Sequence, residues 1–227
     1  MASKNHFRLL IISVTLFLSG CSTSNFLAST RIPAAIKSQL TVNQPVIAYF
    51  SPDATPDNCI CTYEKNAYSA VPVENGYFRV LLGRDAEGLF LVQDFYQKNK
   101  RPQSSPFWMK DPTTIFNFDS SALIGPGTIY YADGKVLEKF NNIDADTREG
   151  ESFYRNGQRA MKYAQRKTGA EYEAWYPNGK QAARYTTSPD RQILNVEAWD
   201  EDGNQPQNLN EILNRIDTEL DPRRERE

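Results

Sequence analysis

The chain has 227 residues, enough for one sizeable core, and its 40% hydrophobic and 24% charged content is that of a globular rather than a disordered protein. With 26 basic against 28 acidic side chains it lacks the charge excess of a nucleic-acid binder. The one histidine, His6, falls in a segment read below as removed, which leaves no imidazole for Ser–His–Asp or Cys–His catalysis or for a His-ligated zinc site.

At the amino terminus Lys4 and Arg8 lead into an apolar run from Leu9 to Leu18. A basic stretch followed by about ten apolar residues reads as a secretory signal; spanning a bilayer takes about 20. Leu18-Ser19-Gly20-Cys21 follows directly and resembles the lipobox of bacterial lipoproteins. The resemblance implies cleavage before Cys21, diacylglyceryl transfer to its Sγ and acylation of the new amine, with residues 1–20 as signal peptide. The lipid bilayer is then the first expected partner, since each buried methylene contributes about 0.8 kcal/mol. In a Gram-negative lipoprotein an Asp after the cysteine implies inner-membrane retention, so for such a source Ser22 implies transport to the outer membrane. The alternative is a plain signal peptide that happens to precede a cysteine. Residues 21–44, Ser/Thr/Ala-rich with scattered Phe26, Leu27, Ile32, Ile36 and Leu40, read as the lipidated cysteine and a tether.

Residues 45–124 form a less regular β region. Val46–Phe50, Tyr77–Leu82 and Leu89–Val92 read as strands between Pro, Gly and Asp turns, expected to begin or cap the sheet that follows. Cys59-Ile60-Cys61 invites a chemical reading. A structural disulfide or two buried thiols is favoured over a redox pair, because only Lys65 is near to lower a thiol pKa. No further Cys or His completes a metal site, so neither metal nor cofactor is expected.

Residues 125–206 are an internal repeat. Ile129–Lys135, Ser152–Gln158, Ala174–Lys180 and Ala198–Asn204 align without gaps, and their turn glycines Gly134, Gly157, Gly179 and Gly203 recur every 22–24 residues. Asp-Gly or Asn-Gly between alternating runs predicts a two-residue hairpin turn with positive φ at both residues, four hairpins in all. That register sets Glu151 against Lys162 and Glu173 against Arg184, opposite charges across the ladder. It also sets Tyr130, Phe153 and Trp175 against Leu137, Ala160 and Ala182. On the other face Tyr131, Tyr154 and Tyr176 form one column and Phe140, Tyr163 and Tyr185 another, with Leu209 in the fourth equivalent position. Lys167-Thr168-Gly169 and Ser188-Pro189-Asp190 supply return turns, giving an antiparallel meander.

Aromatic-Tyr-x-Asn/Asp-Gly-Lys/Gln at this period resembles the bacterial variant of the MORN repeat found in YwqK-like proteins, often labelled antitoxin components. The resemblance covers residues 125–205 and implies an elongated antiparallel sheet and interaction rather than catalysis. A degenerate copy begins at Phe95-Tyr96, with Asn99 in the place of the glycine. Asp200 departs from the second aromatic, and Tyr172 and Val196 replace the leading glycine seen as Gly127 and Gly150. Beyond the repeats, Leu209, Ile212, Leu213, Ile216 and Leu220 have helical spacing and predict a capping helix from about 208 to 220. Pro222 fits as a stop and 223–227 as a solvated charged tail.

The expected fold is therefore mainly β, an antiparallel meander of stacked hairpin repeats with a C-terminal capping α-helix. The expected function is an outer-membrane-anchored, non-catalytic interaction or scaffolding module for an envelope protein. Two alternatives stand beside it: immunity against a co-encoded toxin, and a carboxylate-based cell-wall enzyme using Asp144/Asp146 or Glu171/Glu173. The aromatic columns read first as packing and second as a stacking surface for a cell-wall sugar or choline-like ligand.

Overall fold

A computed structural model describes residues 46–52, 68–109, 111–118, 123–205 and 208–222. Leu18, Ser19, Gly20 and Cys21, the tether, Cys59 and Cys61, and the charged tail lie outside the described residues. In chain order the elements are β1 (Val46–Phe50), β2 (Tyr68–Ser69), β3 (Tyr77–Arg84), β4 (Phe90–Tyr96), β5 (Phe107–Met109), a 3-10 turn (Pro112–Thr114) and β6 (Leu123–Tyr130). Then come β7 (Val136–Asn142), β8 (Arg148–Phe153), β9 (Arg159–Arg166), β10 (Gly169–Trp175), β11 (Gln181–Thr187), β12 (Ile193–Ala198) and α1 (Leu209–Leu220). The twelve strands make one sheet in the order β12-β11-β10-β9-β8-β7-β6-β5-β4-β3-β1-β2. The irregular region therefore continues the repeat sheet, with β6 joining β5 on one side to β7 on the other.

In the register, Glu151 stands opposite Lys162 and Glu173 opposite Arg184. Near the turns the ladder differs from the expectation. Tyr130, Phe153 and Trp175 oppose Val136, Arg159 and Gln181, and Leu137, Ala160 and Ala182 are the extra residues of bulges. The cause is the turn itself. Gly134, Gly157 and Gly179 have positive φ while Asp133, Asn156 and Asn178 do not, so each turn is a tight four-residue turn followed by a left-handed glycine. The Asp or Asn is spared the left-handed conformation because its side chain accepts from the backbone N–H two residues on. Asp133, Asn156 and Asn178 take Lys135, Gln158 and Lys180 in this way, each at 2.9 Å. The bulge then restores the predicted pairing further down each strand.

The repeat period has a physical cause in the tyrosine that follows each of Tyr130, Phe153 and Trp175. Tyr131, Tyr154 and Tyr176 are buried, and each hydroxyl donates to a carbonyl of the next unit: Phe153 at 2.8 Å, Trp175 at 2.7 Å and Trp199 at 2.8 Å. Tyr96 donates to the Tyr130 carbonyl at 2.6 Å, which makes Phe95-Tyr96 a true member of the series. Its turn is one residue longer. Asn99 does the work of Asn156, accepting from Arg101 N–H and donating to the Ala132 carbonyl, and Lys100, not Asn99, holds the left-handed position. Burial raises the phenol pKa of Tyr96, Tyr154, Tyr163 and Tyr185. A folded pKa above the unfolded value contributes stability that is complete below about pH 10 and is lost as pH rises past it. A urea series should therefore show stability level up to about pH 9 and falling above 10, with the full phenolate absorbance reached only as the chain unfolds; complete titration of all the tyrosines in the folded protein would contradict the ladder.

The leading glycines are seats for rings. Gly127 pairs with Phe140, and a Cβ on it would lie 2.2 Å from that ring. Gly150 pairs with Tyr163, and its Cβ would lie 2.5 Å from the hydroxyl and 2.7 Å from the Lys139 carbonyl. Where Tyr172 stands instead, it stacks on Tyr185 at 4.6 Å. Gly150→Ala should cost about 1–3 kcal/mol by overpacking, read as a lower urea midpoint at unchanged slope; parental stability would mean that Tyr163 is not seated there.

The fourth unit is incomplete. β12 is followed by the Gly203 turn and then α1, so Leu209 lies in the helix, not on a strand. Asn208 caps α1 by accepting from Asn210 N–H at 3.1 Å. Leu209, Ile212 and Ile216 pack with Ala174, Ala183, Ala198 and Tyr185. This core face carries Phe140, Tyr185 and the small alanines. At its other end Phe107, Met109 and Leu123 are buried beneath Ile115, while Phe118 packs on Phe50.

Candidate interaction surface

Side chains alternate between the faces of a strand, so the register assigns every residue of β7–β12. The face opposite the core face carries an unbroken row of alternating charge: Lys139, Glu151, Lys162, Glu173, Arg184 and Glu197, one per strand. Two of these contacts were expected; the structure extends them to six strands. The closest ion pairs are partly diagonal. Glu151 takes Arg159 at 2.9 Å, and Arg184 takes Glu197 at 3.6 Å. Such exposed pairs each contribute only about 0–1 kcal/mol, so their consequence is a face of balanced charge.

Beside this row runs an aromatic one. Tyr130, Phe153, Trp175 and Trp199 are half-buried on the same face, at alternate strands and hence about 10 Å apart. Phe95 holds the equivalent position in β4 and stacks on Phe78 at 5.2 Å. Cations attend the rings. The Arg159 guanidinium lies 5.3 Å from the Trp175 ring centre and Lys139 Nζ 5.9 Å from that of Phe153. Between the first two turns of the row this leaves an open groove of about 530 Å³, lined by Lys135, Val136, Lys139, Phe153, Arg155 and Asn156. Lys135 Nζ donates to the Arg155 carbonyl at 2.8 Å, and Arg155 reaches the Pro222 carbonyl at 2.9 Å. The groove wall is thus tied both to the next turn and to the end of α1. A second groove of about 440 Å³ opens over Tyr49, Phe78, Phe95, Lys100 and Pro102.

The glycines Gly134, Gly157, Gly179 and Gly203 line one edge of this face as turn residues. Glu171 and Glu173 share the open face, the latter between Lys162 and Arg184. Asp144 accepts from Asp146 N–H at 2.8 Å in the turn between β7 and β8. On the core face, Glu138 accepts from Tyr163 at 2.7 Å and from Arg148 at 3.1 Å, and burial followed by the Glu138 charge raises the Tyr163 phenol pKa. Among the described residues no helix is long and apolar enough to cross a membrane.

The sequence reading missed the charge row beyond its two pairs and the groove cations, although Lys139 and Glu197 hold the same offsets from Gly134 and Gly203 as the residues it did name. No protein-family model matches the chain, and no curated protein matches it.

Proposed function

We propose that this chain is a lipid-anchored protein of the bacterial envelope, acylated at Cys21 and carried on the outer membrane, whose hairpin repeats act as a non-catalytic docking surface for another envelope protein. The observation that carries the reading is the open face of the repeats: four half-buried aromatics in a row beside six alternating charges, opposite the face on which α1 packs. Rigid aromatic anchors with polar surroundings suit recognition of a partner surface, and a charge-balanced row suits a protein rather than a polyanion. The lipobox resemblance of Leu18-Ser19-Gly20-Cys21 supports the anchor and the MORN-like repeat the interaction role.

Two measurements test it. Mass spectrometry of the mature amino terminus should find a triacylated Cys21, and a different or unmodified first residue would refute the anchor. Cross-linking the tagged full chain in intact cells should capture a specific partner that is lost on Phe153→Ala/Trp175→Ala, while a Glu171→Ala control retains it. Capture indifferent to the aromatic pair would refute this face as the docking surface.

A further inference from the structure

The sheet ends on a hairpin with only one strand. In the three complete hairpins, the strand after each turn carries a cation followed by an aromatic: Lys139-Phe140 in β7, Lys162-Tyr163 in β9 and Arg184-Tyr185 in β11. The cation lies on the open face and the aromatic on the core face. Within the hairpins Lys162 and Arg184 meet Glu151 and Glu173, and Phe140, Tyr163 and Tyr185 meet Gly127, Gly150 and Tyr172. β12 presents the same half of that pattern, Val196 and Glu197, but after its turn the chain leaves for α1 on the core face.

β12 is consequently the edge of the sheet, and among the described residues no strand pairs with its outer side. Ile193, Leu194 and Val196 are 50%, 61% and 51% exposed, and from Ile193 to Glu197 every residue is exposed. Trp199 N–H donates to the Ala182 carbonyl at 2.9 Å, and the alternation of antiparallel bonding turns the backbone groups of Val196 and Ala198 away from β11. The strand itself contains neither Lys nor Pro, the residues that usually blunt such an edge. Among the described residues the opposite edge, β2, has only two residues, which is short for pairing head to tail with β12.

We propose that β12 docks an extended segment of a partner protein that carries Lys or Arg followed by Tyr or Phe, added antiparallel as the missing return strand of the fourth hairpin. The cation would meet Glu197 and continue the charge row to a seventh strand; the aromatic would cover Val196 on the core face beside Tyr185. Main-chain hydrogen bonds supply affinity and the two side chains specificity, as in strand addition generally. The inference rests on the reading of the repeats as an interaction module and names the edge and the partner's chemistry.

The probe is a fluorescent peptide with the sequence of residues 180–187, Lys-Gln-Ala-Ala-Arg-Tyr-Thr-Thr, titrated with the full chain and followed by anisotropy. Saturable binding is expected, weakened at least tenfold when the peptide's Arg becomes Glu. It should weaken similarly with the Glu197→Lys protein, and recover when the two reversals are combined. Val196→Lys, which adds a charge to the edge without touching the row, should also abolish binding while circular dichroism stays parental. Absence of saturable binding, or binding indifferent to Glu197, overturns the proposal. Sedimentation showing a dimer of the chain alone that Val196→Lys dissolves would give the edge to a second copy and overturn it as well. Partner capture lost on Phe153→Ala/Trp175→Ala but unchanged by Val196→Lys would overturn the edge proposal and leave the module reading standing.

Discussion

Asp94→Asn is expected to lower the stability of this protein by about 3–5 kcal/mol, among the largest losses a single isosteric change can produce here. Asp94 and Arg79 oppose each other on β4 and β3 and are 3% and 1% exposed. Their contact is bidentate, with Arg79 Nε on Oδ1 at 2.7 Å and Nη2 on Oδ2 at 2.8 Å. The remaining donor, Nη1, reaches the carbonyls of Ile115 and Asn117 at 2.7 and 3.0 Å, and the rings of Phe50 and Phe107 flank the guanidinium at 4.9 and 5.5 Å. Removing the carboxylate charge leaves a buried cation among aromatic rings with carbonyls for partners. Arg79→Met should be costly too, because it strands the carboxylate and takes the donor from the Ile115 and Asn117 carbonyls. The double variant Arg79→Met/Asp94→Leu should lose less than the sum of the single losses, since neither charge is then buried alone. Urea denaturation at pH 7 measures all three; single variants within about 1 kcal/mol of the parent would contradict the buried pair.

That pair also marks where sequence reasoning ran out. Arg79 and Asp94 sit in strands predicted from apolar content, and no spacing rule announces that two charges fifteen residues apart will face each other in a core. Their meeting depends on the β3–β4 register, which carries a bulge at Leu82. The repeats behaved otherwise. Once the turn glycines were aligned, register, faces and columns followed from period-two alternation, because every hairpin repeats the same local chemistry. In the three complete hairpins the error was confined to the turn. An Asn-Gly pair is compatible with more than one tight turn, and the side-chain bond from Asn156 to Gln158 N–H decides for the form with one left-handed residue. The candidate surface was half legible for the same reason. Glu151/Lys162 and Glu173/Arg184 stood out as pairs, whereas the row became visible only when β7 and β12 were placed beside them. The open edge at β12 was hidden because Leu209 kept the repeat spacing while the chain had already turned into a helix.

Tyr154→Ala should cost about 3–5 kcal/mol, and Tyr154→Phe about 1 kcal/mol, a separation that isolates the hydroxyl from the ring. The ring fills the space beside Ala160, Ala174 and Tyr176 and is 2% exposed, so truncation opens a cavity the surrounding strands cannot close. The hydroxyl alone ties the second hairpin to the Trp175 carbonyl of the third at 2.7 Å. Its donor role requires the neutral phenol, which burial favours, so the Phe variant should also lose part of the pH dependence seen above pH 10. Because contacts in a stacked repeat are made between neighbours, the same exchange at Tyr131 and Tyr176 should give losses of similar size. Losses at Tyr131 and Tyr176 should add, as their donors act on different carbonyls, Phe153 and Trp199. The alanine variant, by contrast, interrupts the stack between the second and third hairpins. Its unfolding should separate into two transitions, β1–β9 and β10–α1, where the parent shows one. A single transition with parental slope in Tyr154→Ala would mean that the remaining links across this boundary, the β9–β10 ladder together with Asn156 on the Pro177 carbonyl and Arg155 on that of Pro222, suffice to couple the repeats, and that the tyrosine series sets their spacing without holding them together.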